Sequence, residues 1–81
     1  MRERGVVDLE ERLRSVLESV FGPEGRTLSD DAGPGTIPAW DSVAHLSLIL
    51  AVEAEFGVTF ATAEIPELLS VRKLRSRLER V

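Results

Sequence analysis

The sequence predicts an all-α fold: a small four-helix bundle, three helices longer and one short, with a long loop between helices one and two. Three observations carry this. Apolar residues recur at helical spacing near both ends of the chain and fill a middle stretch almost without interruption. A run rich in Gly and Pro, from Gly22 to Ala39, separates the first of these segments from the second. The one short alternation of apolar and polar residues, Val58-Thr59-Phe60, has no second strand pattern with which to pair. Eighty-one residues are too few for two cores, so the expectation is one domain over residues 1–81.

In the first helix Leu9, Leu13, Val16, Leu17 and Val20 fall at offsets of four, seven, eight and eleven. Glu10, Glu11, Arg12, Arg14 and Glu18 cover the remaining face, which makes the helix amphipathic. Asp8 is expected to cap its start, and Gly22-Pro23 to end it just after Phe21. At roughly 1.5 to 3 kcal/mol per buried aliphatic side chain, the stripe offsets much of the ordering entropy, but only if it finds partners.

The connection from Gly22 to Ala39 is unusually long for so small a domain, so it must be functional or pinned by apolar contacts of its own. Leu28, Ile37 and Trp40 are the candidates to pin it. Helix two, Ser42 to Phe56, has little polar face, which predicts a central helix touching the core on several sides, with Leu46 inside. Gly57 is placed to close it in a left-handed cap.

Val58-Thr59-Phe60 reads as an extended connector with Val58 and Phe60 turned inward. Thr62-Ala63-Glu64-Ile65 reads as one short helical turn, with Thr62 as its cap and Pro66 limiting its length. Ser70 then caps a last helix in which Val71, Leu74, Leu78 and Val81 fall at offsets of three, seven and ten.

Net charge is −4, and its distribution is more informative than its sum. Thr27 to Val71 holds seven carboxylates and neither Lys nor Arg, an acidic surface that attracts basic partners and repels nucleic acid. The final segment, with Arg72, Lys73, Arg75, Arg77 and Arg80, reads as a solvated cationic face. No apolar run approaches a membrane span, and Val6-Val7 behind a charged start is too short for a signal peptide. These features predict a cytoplasmic chain without membrane association, and Met1 suggests that it is free-standing.

The candidate site is Ile37-Pro38-Ala39-Trp40-Asp41-Ser42, where the loop meets helix two. Asp41-Ser42 reads first as a cap, since side-chain oxygens satisfy amides that lack a partner inside the helix. The same end of the helix favours a phosphate on the Ser42 hydroxyl. His45, one turn further on, invites a Ser-His-Asp reading with Asp41. That reading is rejected, because such triads draw on separate elements and need an oxyanion site in a water-poor cleft. Glu53 and Glu55, two residues apart, point to different sides of a helix and make no carboxylate pair. A single His and no Cys leave no metal-ligand spacing, and any thiol chemistry must come from an added group.

Three segments together, Trp40-Asp41-Ser42-Val43-Ala44-His45-Leu46, Glu53-Ala54-Glu55-Phe56-Gly57-Val58 and Ser70-Val71-Arg72-Lys73-Leu74, resemble the acyl and peptidyl carrier proteins over nearly the whole chain. The resemblance implies a single carrier domain with no catalytic residues of its own. By it, Ser42 receives a 4'-phosphopantetheine arm from coenzyme A through a phosphodiester, and the arm's thiol holds a pathway intermediate as a thioester. Asp41 would help to orient Ser42 and the metal of the modifying enzyme. Trp40, Val43, His45, Glu53 and Glu64 are the expected partner-recognition residues, although packing alone would also account for Trp40 as a loop anchor. The implied partners are a phosphopantetheinyl transferase, an acyl-loading ligase or acyltransferase, and downstream synthase enzymes, with the chain itself a monomer.

Fatty-acid carriers place acids at the second and fifth positions after the modified serine, where this chain has Ala44 and Ser47. With Arg greatly outnumbering Lys, this favours a specialised, polyketide-like bacterial pathway. The alternatives are a fatty-acid or aminoacyl/peptidyl carrier, an unmodified helical adaptor, and a small hydrolase built on Ser42 and His45.

Overall fold

The computed structural model describes the backbone of residues 2–80 and the side chains of residues 8–80. Its α-helices are α1 (Arg2–Phe21), α2 (Ser42–Phe56) and α3 (Val71–Leu78), with 3-10 segments at Pro23–Thr27 and Thr62–Glu67. The described residues contain no strand, and the predicted helical architecture with its long first loop is the one found. Val81, expected in the last helical stripe, lies outside the described residues.

Leu13, Val16 and Leu17 of α1 are buried, with Leu9, Val20 and Phe21 packed partly against them, so the first amphipathic stripe is as read. Its start is not. α1 begins at Arg2, which puts Asp8 inside the helix, 4.0 Å from Arg12 one turn on, rather than at its cap. Arg and Glu are good helix formers, and the single Gly5 among them does not break the helix. The other end closes at Gly22, whose amide donates to the Glu18 carbonyl at 2.8 Å before Pro23 turns the chain away.

The loop is a built element. Pro23 opens a 3-10 turn that the loop reading did not include, a geometry its fixed φ and missing N–H tolerate. Ala32 and Trp40 are buried and Leu28 and Ile37 half-buried, so the predicted pins do hold the loop down. The Trp40 ring centroid lies 5.1 Å from that of Phe21 at the end of α1. The carbonyls of Asp30 and Ala32 accept from the amides of Arg72 and Val71 at 2.9 and 3.2 Å. These are first-turn amides of α3, which no intrahelical bond satisfies. At Gly33 the loop passes so close to the chain before α3 that a Cβ there would stand 2.4 Å from the Leu69 carbonyl oxygen.

In α2, Asp41 alone is the cap: its Oδ1 accepts from the Ala44 amide at 2.8 Å, and Ser42 is the first helical residue. Gly57 ends the helix at φ 66°, as expected, in the left-handed region that a side chain disfavours. The expectation that α2 touches the core on several sides is corrected. His45, Leu48, Ile49 and Val52 are buried, whereas Val43, Leu46 and Leu50 are exposed. The bundle has too few elements to enclose an apolar helix all round, so one stripe faces the core and another faces out.

Phe60 is buried and Val58 half-buried, as the connector reading required. The second 3-10 segment is capped from Ala61 rather than Thr62, because Glu64 reaches back to accept the Ala61 amide at 3.2 Å. It continues through Pro66 to Glu67, two residues further than expected. Ser70 caps α3 by accepting the Lys73 amide at 3.1 Å, and Val71, Leu74 and Leu78 are buried.

Candidate functional site

Ser42 is exposed at the first position of α2, where the helix end presents unpaired amides and the positive end of its dipole. Asp41, also exposed, uses one carboxylate oxygen for the cap and leaves the other beside the hydroxyl-bearing residue. Next to them lies an open groove of about 700 Å³ with apolar walls. Pro34 and Pro38 form the loop side, Ile65 and Pro66 the side of the second 3-10 segment, and Leu46 and Leu69 extend it.

Trp40 and His45 also line this groove but do not stand at its surface. Trp40 is 1% exposed and His45 6%, which corrects their assignment as surface contacts for partners. The Trp40 indole Nε1–H donates to His45 Nδ1 at 3.0 Å, and His45 Nε2 lies 2.9 Å from the Ile65 carbonyl oxygen. Both ring nitrogens are therefore committed away from Ser42. A position three residues on shares the helix face with Ser42, but depth depends on what folds over that face, and here the loop brings Trp40 back across it.

The remaining predicted recognition residues divide. Val43 is 73% exposed and continues with Leu46 and Leu50 as an apolar stripe leading away from Ser42. Glu53 instead accepts the Phe60 amide at 2.8 Å, which holds the connector against α2. Glu64 accepts from Arg77, and that bond, with the Ala61 amide after it, keeps its carboxyl below the usual carboxylate range.

The charge reading changes accordingly. Asp31 pairs with Arg72, Asp30 with Arg75 at 2.8 Å, Glu55 with Arg12 at 2.8 Å, and Glu64 with Arg77. Neither the acidic surface nor the solvated cationic face is a uniform field, because each supplies the other's counter-charges. Beside Ser42 the acid that enters no ion pair among the described residues is Asp41.

Comparison of the chain with protein-family models, with curated proteins and with solved structures gives no match. No described helix is long and apolar enough to cross a membrane. Among the described residues no group of three or more His, Cys, Asp and Glu is arranged to hold a metal ion.

The groove residues Leu46, Leu69, Pro34 and Pro66 were not legible as a site. From sequence Leu46 reads as core because α2 has little polar face. The available signal was the stripe Val43, Leu46, Leu50, at offsets of three and seven, set against Leu48, Ile49 and Val52.

Proposed function

We propose that the chain is a carrier protein, not an enzyme, which holds an acyl intermediate of a specialised, polyketide-like bacterial biosynthetic pathway on a 4'-phosphopantetheine arm at Ser42. The observation that carries this is an exposed Ser42 on a capped, rigid helix end, at the mouth of an apolar groove. The residues fit the group. The hydroxyl is accessible, the helix end favours a phosphodiester, and Pro38, Leu46, Ile65 and Leu69 offer apolar contact to a flexible arm. When attached, the arm supplies a thiol that holds the cargo as a thioester.

Attachment balances simply. The Ser42 hydroxyl attacks the phosphorus of coenzyme A that bears the pantetheine; a new O–P bond forms, the pyrophosphate P–O bond breaks, and adenosine 3',5'-bisphosphate leaves. The hydroxyl proton passes to a base of the phosphopantetheinyl transferase. Asp41, next to Ser42 in sequence and acceptor-only when ionised, would help bind that enzyme's metal through the oxygen its cap leaves free. The exposed stripe of Val43, Leu46 and Leu50 offers the transferase, the loading ligase or acyltransferase and downstream synthases an apolar docking face. Ala44 and Ser47, where fatty-acid carriers have acids, support the specialised pathway over the housekeeping one.

Against the hydrolase reading, His45 is held by Trp40 and Ile65 and is not available to Ser42 as a base. The test is intact mass after incubation with coenzyme A and a broad-specificity phosphopantetheinyl transferase. One added arm, absent in Ser42→Ala, is the expected result. An unchanged mass in the folded chain overturns the proposal in favour of an unmodified adaptor; esterase turnover lost in Ser42→Ala and His45→Ala overturns it in favour of an enzyme.

A further inference from the structure

The donors and acceptors around His45 admit one protonation state. An indole N–H only donates, so the Nδ1 that it meets at 3.0 Å must be bare. A carbonyl oxygen only accepts, so the Nε2 that lies 2.9 Å from Ile65 must carry the proton. The other neutral tautomer would set donor against donor at Trp40 and acceptor against acceptor at Ile65. The charged ring would set donor against donor at Trp40. With Trp40 and His45 almost wholly buried, water cannot take over either bond, and an unmade one carries a full desolvation cost.

The two bonds reach different parts of the chain. Trp40 belongs to the loop that supplies one wall of the Ser42 groove, and Ile65 to the 3-10 segment that supplies the other. His45 stands between them on the first turn of α2. We propose that His45 is a positioning residue for the Ser42 site: a neutral imidazole with its proton on Nε2 that ties Trp40 to Ile65 and so sets the two groove walls relative to the serine. This rests on the carrier reading for its functional consequence, but not for its geometry. Without the tie, the groove loses its registration against α2 and the transferase meets a differently shaped surface around the same hydroxyl.

The test combines a spectroscopic and a kinetic readout on the full chain. Nitrogen-15 NMR at neutral pH is expected to show His45 as the Nε2–H tautomer, with the Trp40 indole proton exchanging more slowly than in the unfolded chain. In His45→Leu the amide signals of the non-proline residues within 34–40 and 62–67 are expected to shift together. Transferase kcat/KM is expected to fall on the order of tenfold while helix content is retained. His45→Gln, which keeps an acceptor and a donor, is expected to recover much of that loss. Should His45→Leu not fold, Trp40→Phe removes the donor while keeping an aromatic ring in the core, and is expected to move the His45 nitrogen signals and the 62–67 amides.

An Nδ1–H or charged imidazole overturns the proposal, as do unmoved 62–67 signals or unchanged loading in the folded variants. If wild-type Ser42 takes up no arm, the carrier reading fails by itself. The tautomer and the paired shifts then decide the tie.

Discussion

At the residue scale, adjacent side chains at the start of α2 divide the work. Asp41 is the cap and Ser42 is free of that duty, so the two substitutions should separate. Asp41→Ala is expected to cost about 1 kcal/mol in urea unfolding, while Ser42→Ala stays within about 0.5 kcal/mol of wild type. A similar contrast is expected on the body of the helix. Leu46 is 54% exposed, so Leu46→Ala should cost less than about 1 kcal/mol, against the 2 to 5 kcal/mol that its reading as core required. Ile49→Ala, three residues on and buried, is expected to fall in that larger range by the same measurement. The sequence made Ser42 legible because helix starts are written in local chemistry: a loop rich in Pro, an acid, a hydroxyl. It hid His45 because burial there depends on Trp40 folding back from a loop, which no periodicity records.

At the scale of elements, the same distinction explains which boundaries were readable. Helix ends marked by Gly57 and Ser70 were, since each names a backbone conformation or a cap. The start of α1 was not, because Asp8 is acceptable inside a helix whose preceding residues also favour one. The cap before the second 3-10 segment differs from the expected one for a related reason: Glu64 does from within the turn what Thr62 would do from its edge. Gly57→Ala tests the boundary that was read correctly. Its φ of 66° with nothing within reach of an added Cβ leaves backbone strain as the only penalty, so thermal unfolding should report a loss of about 1 to 2 kcal/mol.

For the whole molecule, charges distant in sequence decide how the elements are held. Arg75 of α3 reaches Glu10 of α1 and Asp30 of the loop, both at 2.8 Å, and Arg14 reaches Glu10 from its own helix. Bonds from Arg75 are the leading reason that the Glu10 and Asp30 carboxyls sit below their ordinary values of 4.5 and 3.8. Glu64 is lowered likewise by Arg77. Each of these groups binds protons less readily folded than unfolded. Their contribution is therefore complete above the ordinary carboxylate range and is lost as pH falls through the lowered folded values. The melting temperature is expected to drop between pH 7 and pH 3, and to drop less in Glu10→Gln than in wild type. An equal drop in both would remove Glu10 from the acid response. Counting signs along the chain showed an acidic middle and a basic end, but not that the two neutralise each other across the bundle.

The loop carbonyls of Asp30 and Ala32 hold the opening amides of α3, and this gives the loop's motion a gauge on another element. Deuterium entering at Val71 and Arg72 marks each moment the loop lifts from α3. A partner that reshapes the loop will thus leave its trace at the opening of the last helix, in two backbone hydrogens.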